Sequence, residues 1–263
     1  MEEPMTVPEV EIAMRRDGWT IFSNIVQPSL LERLREDVEA AWEVCREAQV
    51  RNGVATDTDL TVHHILGIRD SFLELLEAMA PLDPFFERYF KGKYVLNSIG
   101  GAINARGHTS YAQRIHRDIR TFSGDTPLLL NTIVMLDDFT AENGATRLCS
   151  GSHRMAEKPS QPEFDRNASA VLGTAGSIVM FDSNLWHAGG TNRSASPRRS
   201  ITPMFCRPFI KPQFDYPRAL GYDRAPEFSE FLRQLIGYNA RIPSTLGEWY
   251  KPPQERMYRN DQG

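Results

Sequence analysis

Two hydrophobic textures divide the chain. In the first, Leu30, Leu31, Leu34, Val38, Ala41, Trp42 and Cys45 recur at helical spacing. Pro28 and a Ser29–Glu32 capping box precede them, so an amphipathic helix is predicted to about residue 48. Ahead of it, residues 12–26 open on a short helical patch, and Gly18-Trp19-Thr20-Ile21-Phe22 then alternates as a strand. Ser71 to Met79 predicts a second helix, with Ser71 and Glu74 repeating the capping pattern and Pro81 ending it; Asp83 to Phe90 predicts a short third. From Tyr94 the texture changes. Short apolar segments (Tyr94–Ile99, Leu128–Leu136, Thr146–Cys149, Ser177–Phe181, Ser200–Phe205) alternate with Gly, Pro, Asn and Asp turns, the pattern of an all-β region. The helices carry an apolar stripe that needs covering, so the fold expected is mainly β with N-terminal helices, a barrel or sandwich buttressed by them. One domain is expected over residues 1–263: a helical buttress at 12–93, a barrel core at 94–210, and a tail at 211–263 packing on the body, with a helix at Glu227–Ile236. Residues 155–170 read as a mobile excursion, either a lid or a surface loop.

Composition narrows the function. A net charge of −4 gives no general electrostatic case for nucleic acid or an anionic membrane. No stretch reaches the roughly 18 uninterrupted apolar residues of a membrane span. Met1 to Glu11 is acidic and lacks a basic start followed by an apolar run, so no secretory signal is expected. Cys45, Cys149 and Cys206 are scattered and form no C-x-x-C pair, which suits free thiols in a reducing, cytoplasmic compartment. The partner expected is a small-molecule substrate, with the chain a monomer or homodimer.

The candidate chemistry centres on His116-Arg117-Asp118. On a strand, residues two apart share a face, so this spacing presents an imidazole and a carboxylate to one divalent metal. His187, directly after the apolar strand Ser177–Phe181, is the candidate third ligand. Arg198, eleven residues further on, heads another strand, where a guanidinium can clamp a dicarboxylate through a bidentate fork. Arg199 alternates to the other face. Gln113, three residues before His116, is near enough to reach a metal-bound co-substrate. Of the other histidines, His63 and His64 are adjacent and point opposite ways on a strand, which suits a substrate pocket better than a shared metal; His108 sits in a Gly-rich loop, and His153 ends a Ser-Gly-Ser-His turn. Two His and a carboxylate also suit hydrolytic zinc, but a hydrolase has no use for Arg198.

Together, His116-x-Asp118, Glu142-Asn-Gly-Ala with Ser150-Gly-Ser-His153, and His187 followed by Arg198 resemble the phytanoyl-CoA dioxygenase family. The opening Asp17-Gly-Trp-Thr-Ile-Phe resembles it too, so that the similarity spans residues 12–210; the tail Glu248-Trp-Tyr-Lys-Pro-Pro is similar to that of secondary-metabolite members. The resemblance implies a double-stranded β-helix, a jelly-roll or cupin-like barrel, that uses Fe(II), 2-oxoglutarate and O2. It implies His116, Asp118 and His187 as iron ligands and Arg198 as the partner of the distal carboxylate. Gln113, Asn131, Thr132 and Thr191 match positions that touch the co-substrate, and His153 would brace a hairpin. A carboxylate at Asp118, where a small residue would admit halide, favours hydroxylation over halogenation; desaturation, epoxidation, epimerisation and rearrangement use the same centre. A non-catalytic β-barrel binding protein is the alternative of another class, and it has no need of the full His/Asp/His/Arg set. Substrate selection is expected from residues 54–69, 104–112, 155–170 and parts of the tail, whose mixed composition suits a medium-sized, partly apolar molecule rather than a coenzyme A thioester.

Overall fold

The computed structural model describes residues 5–56 and 58–262; the first four residues of the acidic N-terminal stretch lie outside it. Helix α1 (Val7–Arg16) starts at a capping box between Thr6 and Glu9 and leads into strand β1 (Trp19–Phe22). Helix α2 (Pro28–Arg51) buries the predicted stripe completely at Leu34, Val38 and Ala41, each 0% exposed. Its N-cap is Gln27 with Pro28 at the first turn, so Ser29 lies inside the helix and forms no capping box. The expected box at Ser71 fails similarly. Helix α3 (Asp70–Ala78) begins one residue earlier, the Ser71 hydroxyl donates to Asp37 at 2.6 Å, and Glu74 pairs with Arg33. Strand β2 (Thr61–His63) lies between α2 and α3, and helix α4 (Asp83–Phe90) ends on the left-handed residue Lys91.

The remaining strands are β3 (Val95–Asn104), β4 (Leu129–Met135), β5 (Arg147–Cys149), β6 (Ala168–Ala170), β7 (Ile178–Asp182), β8 (His187–Ala188) and β9 (Arg198–Cys206). Six of the nine form one sheet in the order β1-β7-β4-β9-β3-β2, and the other three form a small sheet in the order β6-β5-β8. Every ladder is antiparallel. Alternation along β4 and β7 sorts two cores. Leu130, Val134, Ile178 and Met180 pack toward the helices, while Ile133, Met135, Val179 and Phe181 pack against Leu148 and Leu185 between the sheets. Burial on both faces explains why these strands read as continuous apolar runs.

The body is the expected jelly-roll, built of two facing sheets; among the described residues no ladder joins the large sheet to the small one. Within region 12–93, β1, expected at 18–22, and β2 form both edges of the large sheet. One expectation is corrected: residues 155–170 are no loose excursion. Ser160 and Glu163 form a capping box for helix α5 (Gln161–Asn167), Phe164 is 1% exposed beneath it, and β6 follows directly as a strand of the small sheet. In the tail, helices α6 (Tyr216–Leu220) and α7 (Glu230–Ile236) bury Tyr216, Leu235 and Ile236. The short α8 (Leu246–Trp249) instead leaves Leu246, Trp249 and the following Tyr250 largely exposed.

Candidate metal centre

His116 and His187 face each other across the cleft side of the small sheet. Each backbone N–H donates to the other's carbonyl, at 3.0 and 2.9 Å, which brings the two ring centroids to 4.1 Å. The residues after His116 do not continue as a strand, as the spacing argument assumed. They bend at 118–120, and the bend returns the Asp118 carboxylate to the histidines. Its two oxygens lie 3.7 Å from His116 Nε2 and 3.5 Å from His187 Nε2, and ligand atoms of all three residues fall within 4.8 Å of one another. Facial ligands held about 2.1 Å from one metal sit about 3 Å apart, so this set needs only a small contraction to close on an ion.

The donor chemistry agrees. His116 Nδ1 faces the Arg114 carbonyl at 2.7 Å, and His187 Nδ1 faces the Leu185 carbonyl at 2.9 Å. A carbonyl only accepts, so each Nδ1 carries the proton and each Nε2 presents its lone pair toward Asp118. Burial pushes His187 down to about 4, against the opposing pull of Asp118, and so keeps it neutral at physiological pH. Asp118 is held from β4: the Asn131 amide donates to its Oδ2, and the fully buried Ser183 hydroxyl donates to Asn131 Oδ1 at 2.8 Å. That bond fixes which way the amide points. Asn131 therefore has its amide committed to the carboxylate, where the family resemblance implied a co-substrate contact.

Arg198 opens β9 and is 4% exposed. Its guanidinium lies over the Phe139 ring at 4.1 Å, and its Nε and Nη1 are buried with no hydrogen-bond partner among the described residues. Burial lowers its pKa to about 10, partly offset by Asp137, so it remains a cation at neutral pH. An unpaired buried guanidinium is costly, and an anionic ligand is the usual reason to retain one. Arg199 turns to the opposite face and pairs with Asp137 and Glu39. The three triad residues and Arg198 share the wall of one cavity of about 410 Å³. The wall also includes Thr146, 8% exposed, in the Glu142-Asn-Gly-Ala-Thr run; the run was noted in the sequence but its threonine was not singled out. Gly144, at φ +75°, makes this placement possible, because a Cβ there would sit 2.4 Å from the Gly190 carbonyl oxygen.

Of the other expected co-substrate contacts, Thr132 lines this cavity, whereas Gln113 and Thr191 do not. The Gln113 amide donates to the His108 carbonyl at 3.3 Å and borders a separate cavity of about 40 Å³, whose wall meets that of the main one at Ala102, Ala112, Gly189 and Arg198. The Thr132 hydroxyl, one residue out of phase with Asn131, donates to the Pro203 carbonyl at 2.8 Å. Thr191 lies on the exposed loop after β8 and lines neither cavity. His153 packs against the backbone of Gly18, where a Cβ would lie 2.4 Å from its Nδ1. Arg117 stacks on Trp186 at 5.0 Å and donates to the Ala156 carbonyl at 3.0 Å. Of the loops expected to select substrate, residues 61–64 and 111–112 and the tail residue Gln213 line the cavity, whereas 155–170 does not.

The profile of the phytanoyl-CoA dioxygenase family (PhyH) matches residues 14–200. The chain belongs to that family. Among its relatives, the Mycobacterium tuberculosis protein Rv1501 is 29% identical over 271 residues, covering 100% of this chain and 98% of the relative. "Dioxygenase cdmA" of Talaromyces verruculosus is 25% identical over 261 residues, covering 91% of this chain and 86% of the relative. Solved structures share the fold. AviO1 from Streptomyces viridochromogenes superposes with a TM-score of 0.59 at 20% identity, over 80% of this chain and 99% of that one. The non-heme, α-ketoglutarate-dependent epimerase SnoN from nogalamycin biosynthesis gives a TM-score of 0.58 at 16% identity, over 76% of this chain and 82% of that one. PhyH membership and dioxygenase-named relatives put the chain among the oxidoreductases. Among the described residues no helix is long and apolar enough to cross a membrane.

Proposed function

We propose that this PhyH-family chain is an Fe(II)- and 2-oxoglutarate-dependent dioxygenase. It hydroxylates, or otherwise oxidises, a small natural-product intermediate in the cytoplasm and releases succinate and CO2. One observation carries the co-substrate assignment: Arg198 is a buried guanidinium with unpartnered donors in the wall of the cavity that holds the His116/Asp118/His187 cluster. A forked cation there suits the distal carboxylate of a five-carbon keto diacid, and a metal hydrolase would leave it unpaired.

When bound, Fe(II) and 2-oxoglutarate supply the oxidising power, coupling decarboxylation of the keto acid to attack of O2 on a substrate C–H bond. The chain supplies geometry and exclusion. His116 and His187 offer Nε2 lone pairs because backbone carbonyls hold the Nδ1 protons. Asn131 and Ser183 keep the Asp118 carboxylate aimed at them. Phe139 supports the Arg198 guanidinium from below and keeps water off that face. The dioxygenase names of the fungal relatives and the epimerase among the structural neighbours support oxidation or stereochemical inversion on one ligand set. The test is succinate release: purified chain with Fe(II), 2-oxoglutarate and O2 forms succinate slowly without substrate and faster with it. No succinate under either condition removes the proposal.

A further inference from the structure

The cavity has a second set of polar groups that the metal chemistry does not use. Where β2 ends, His63 and His64 both line it, and each ring nitrogen that bonds is tied to a tyrosine. His63 Nε2 lies 3.0 Å from the Tyr111 hydroxyl, and His64 Nδ1 lies 3.1 Å from the Tyr216 hydroxyl. His64 sits at φ +55°, a left-handed conformation that residues with a Cβ seldom adopt without being held there. Here the holding groups come from the tail: the imidazole stacks on Phe214 with centroids 4.7 Å apart and planes 14° off parallel, and Tyr216 bonds its edge.

That bond decides the tautomer. The Tyr216 side chain is 1% exposed, and its oxygen already accepts the Ile99 backbone N–H at 2.9 Å. Its single hydrogen is left for His64 Nδ1. The opposite tautomer would strand the phenol hydrogen in a buried site with no acceptor among the described residues. Burial and the neighbouring His63 depress the pKa of His64, so the ring is neutral and its one proton is on Nε2. This Nε2–H makes no hydrogen bond among the described residues, on a ring that forms part of the cavity wall.

We infer that His64, fixed as its Nε2–H tautomer by Tyr216, is a specificity-determining donor that reads a carbonyl or other neutral acceptor oxygen on the substrate. This rests on the oxygenase function proposed above and deepens it: the substrate class is a neutral, oxygen-bearing molecule held by an uncharged donor. Tyr216 is a positioning residue that acts through His64.

The experiment uses the full chain with ¹⁵N-labelled histidine and a matched pair of probes, chroman-4-one and chroman, which differ by one carbonyl. Free protein shows His64 protonated at Nε2 and bare at Nδ1. Chroman-4-one shifts the Nε2 resonance and chroman does not. Tyr216→Phe mixes the two His64 tautomers while the other histidine signals stay in place. His64→Asn, which tolerates the left-handed backbone, weakens chroman-4-one about tenfold, the loss expected of one neutral hydrogen bond, and leaves chroman unchanged. A protonated Nδ1 in the free protein, an equal response to both probes, or no response to the ketone overturns the inference. Failure of the oxygenase function itself reads out separately, as absent succinate formation in the unmodified chain.

Discussion

Replacing Arg198 by methionine should make the ligand-free chain more stable and raise its KM for 2-oxoglutarate. The substitution keeps an unbranched side chain and removes a cation that is 4% exposed with two unpartnered donors. Burial lowers the Arg198 pKa from its ordinary value to about 10. At neutral pH the unfolded chain therefore holds that proton more tightly than the folded one, a penalty on folding of about 3 kcal/mol that disappears only as pH rises past the folded value. Lost stacking on Phe139 and relaxation of the site reduce the recoverable part to about 1–2 kcal/mol, or roughly 2–6 °C in Tm. In the other direction, charge-assisted hydrogen bonds of about 1.5–3 kcal/mol vanish, raising KM for 2-oxoglutarate on the order of 10- to 150-fold. Thermal melts with and without 2-oxoglutarate, alongside succinate formation, measure both. A variant that melts lower and keeps its KM within twofold would refute the reasoning, since Arg198 would then be a structural cation and not a ligand-binding one.

Other perturbations follow from the same geometry. Asp118→Ala should abolish substrate oxidation with the far-UV circular dichroism intact; unchanged turnover would mean the wrong carboxylate has been chosen. Asn131→Ala releases the Asp118 carboxylate and should raise the Fe(II) concentration for half-maximal activity about 10- to 100-fold, with the fold retained; an unaltered iron titration counts against the positioning role. His187 has its pKa lowered from 6.5 to about 4, so the unfolded chain binds its proton more readily. Metal-stripped protein should therefore lose about 3 kcal/mol as pH falls from 6.5 to about 4, a slope that His187→Gln reduces; denaturant midpoints across that range decide it, and equal slopes contradict it.

What could be read from the chain depended on how local the cause was. The stripe through Leu34, Val38 and Ala41 is a one-element property, and it is fully buried. Strands β4 and β7 were visible because both faces are covered, which makes them continuous apolar runs. Capping boxes were less legible, because Ser-x-x-Glu is frequent: the pattern at Ser29 and Ser71 lies within helices, while the one at Ser160 marks a real start that was passed over as loop. At the site, His116-x-Asp118 stands out for its strand spacing, yet the two converge through a bend and a backbone pair between His116 and His187. Gln113, Thr132 and Thr191 rest on position in a pattern, which does not record where a side chain turns: Thr132 lines the cavity, yet its hydroxyl bonds a neighbouring strand. The left-handed turn at His64 and its bond to Tyr216, 152 positions away, depend on tertiary packing that no local pattern records.

The central claim is that one centre holds iron and a keto acid together, and absorption under anaerobic conditions tests it most directly. Fe(II) added to the chain with 2-oxoglutarate should produce the weak visible charge-transfer band of the metal-chelated keto acid. The band should be lost in Asp118→Ala and require much more 2-oxoglutarate in Arg198→Met. No band in the unmodified chain at saturating iron and 2-oxoglutarate would contradict the account.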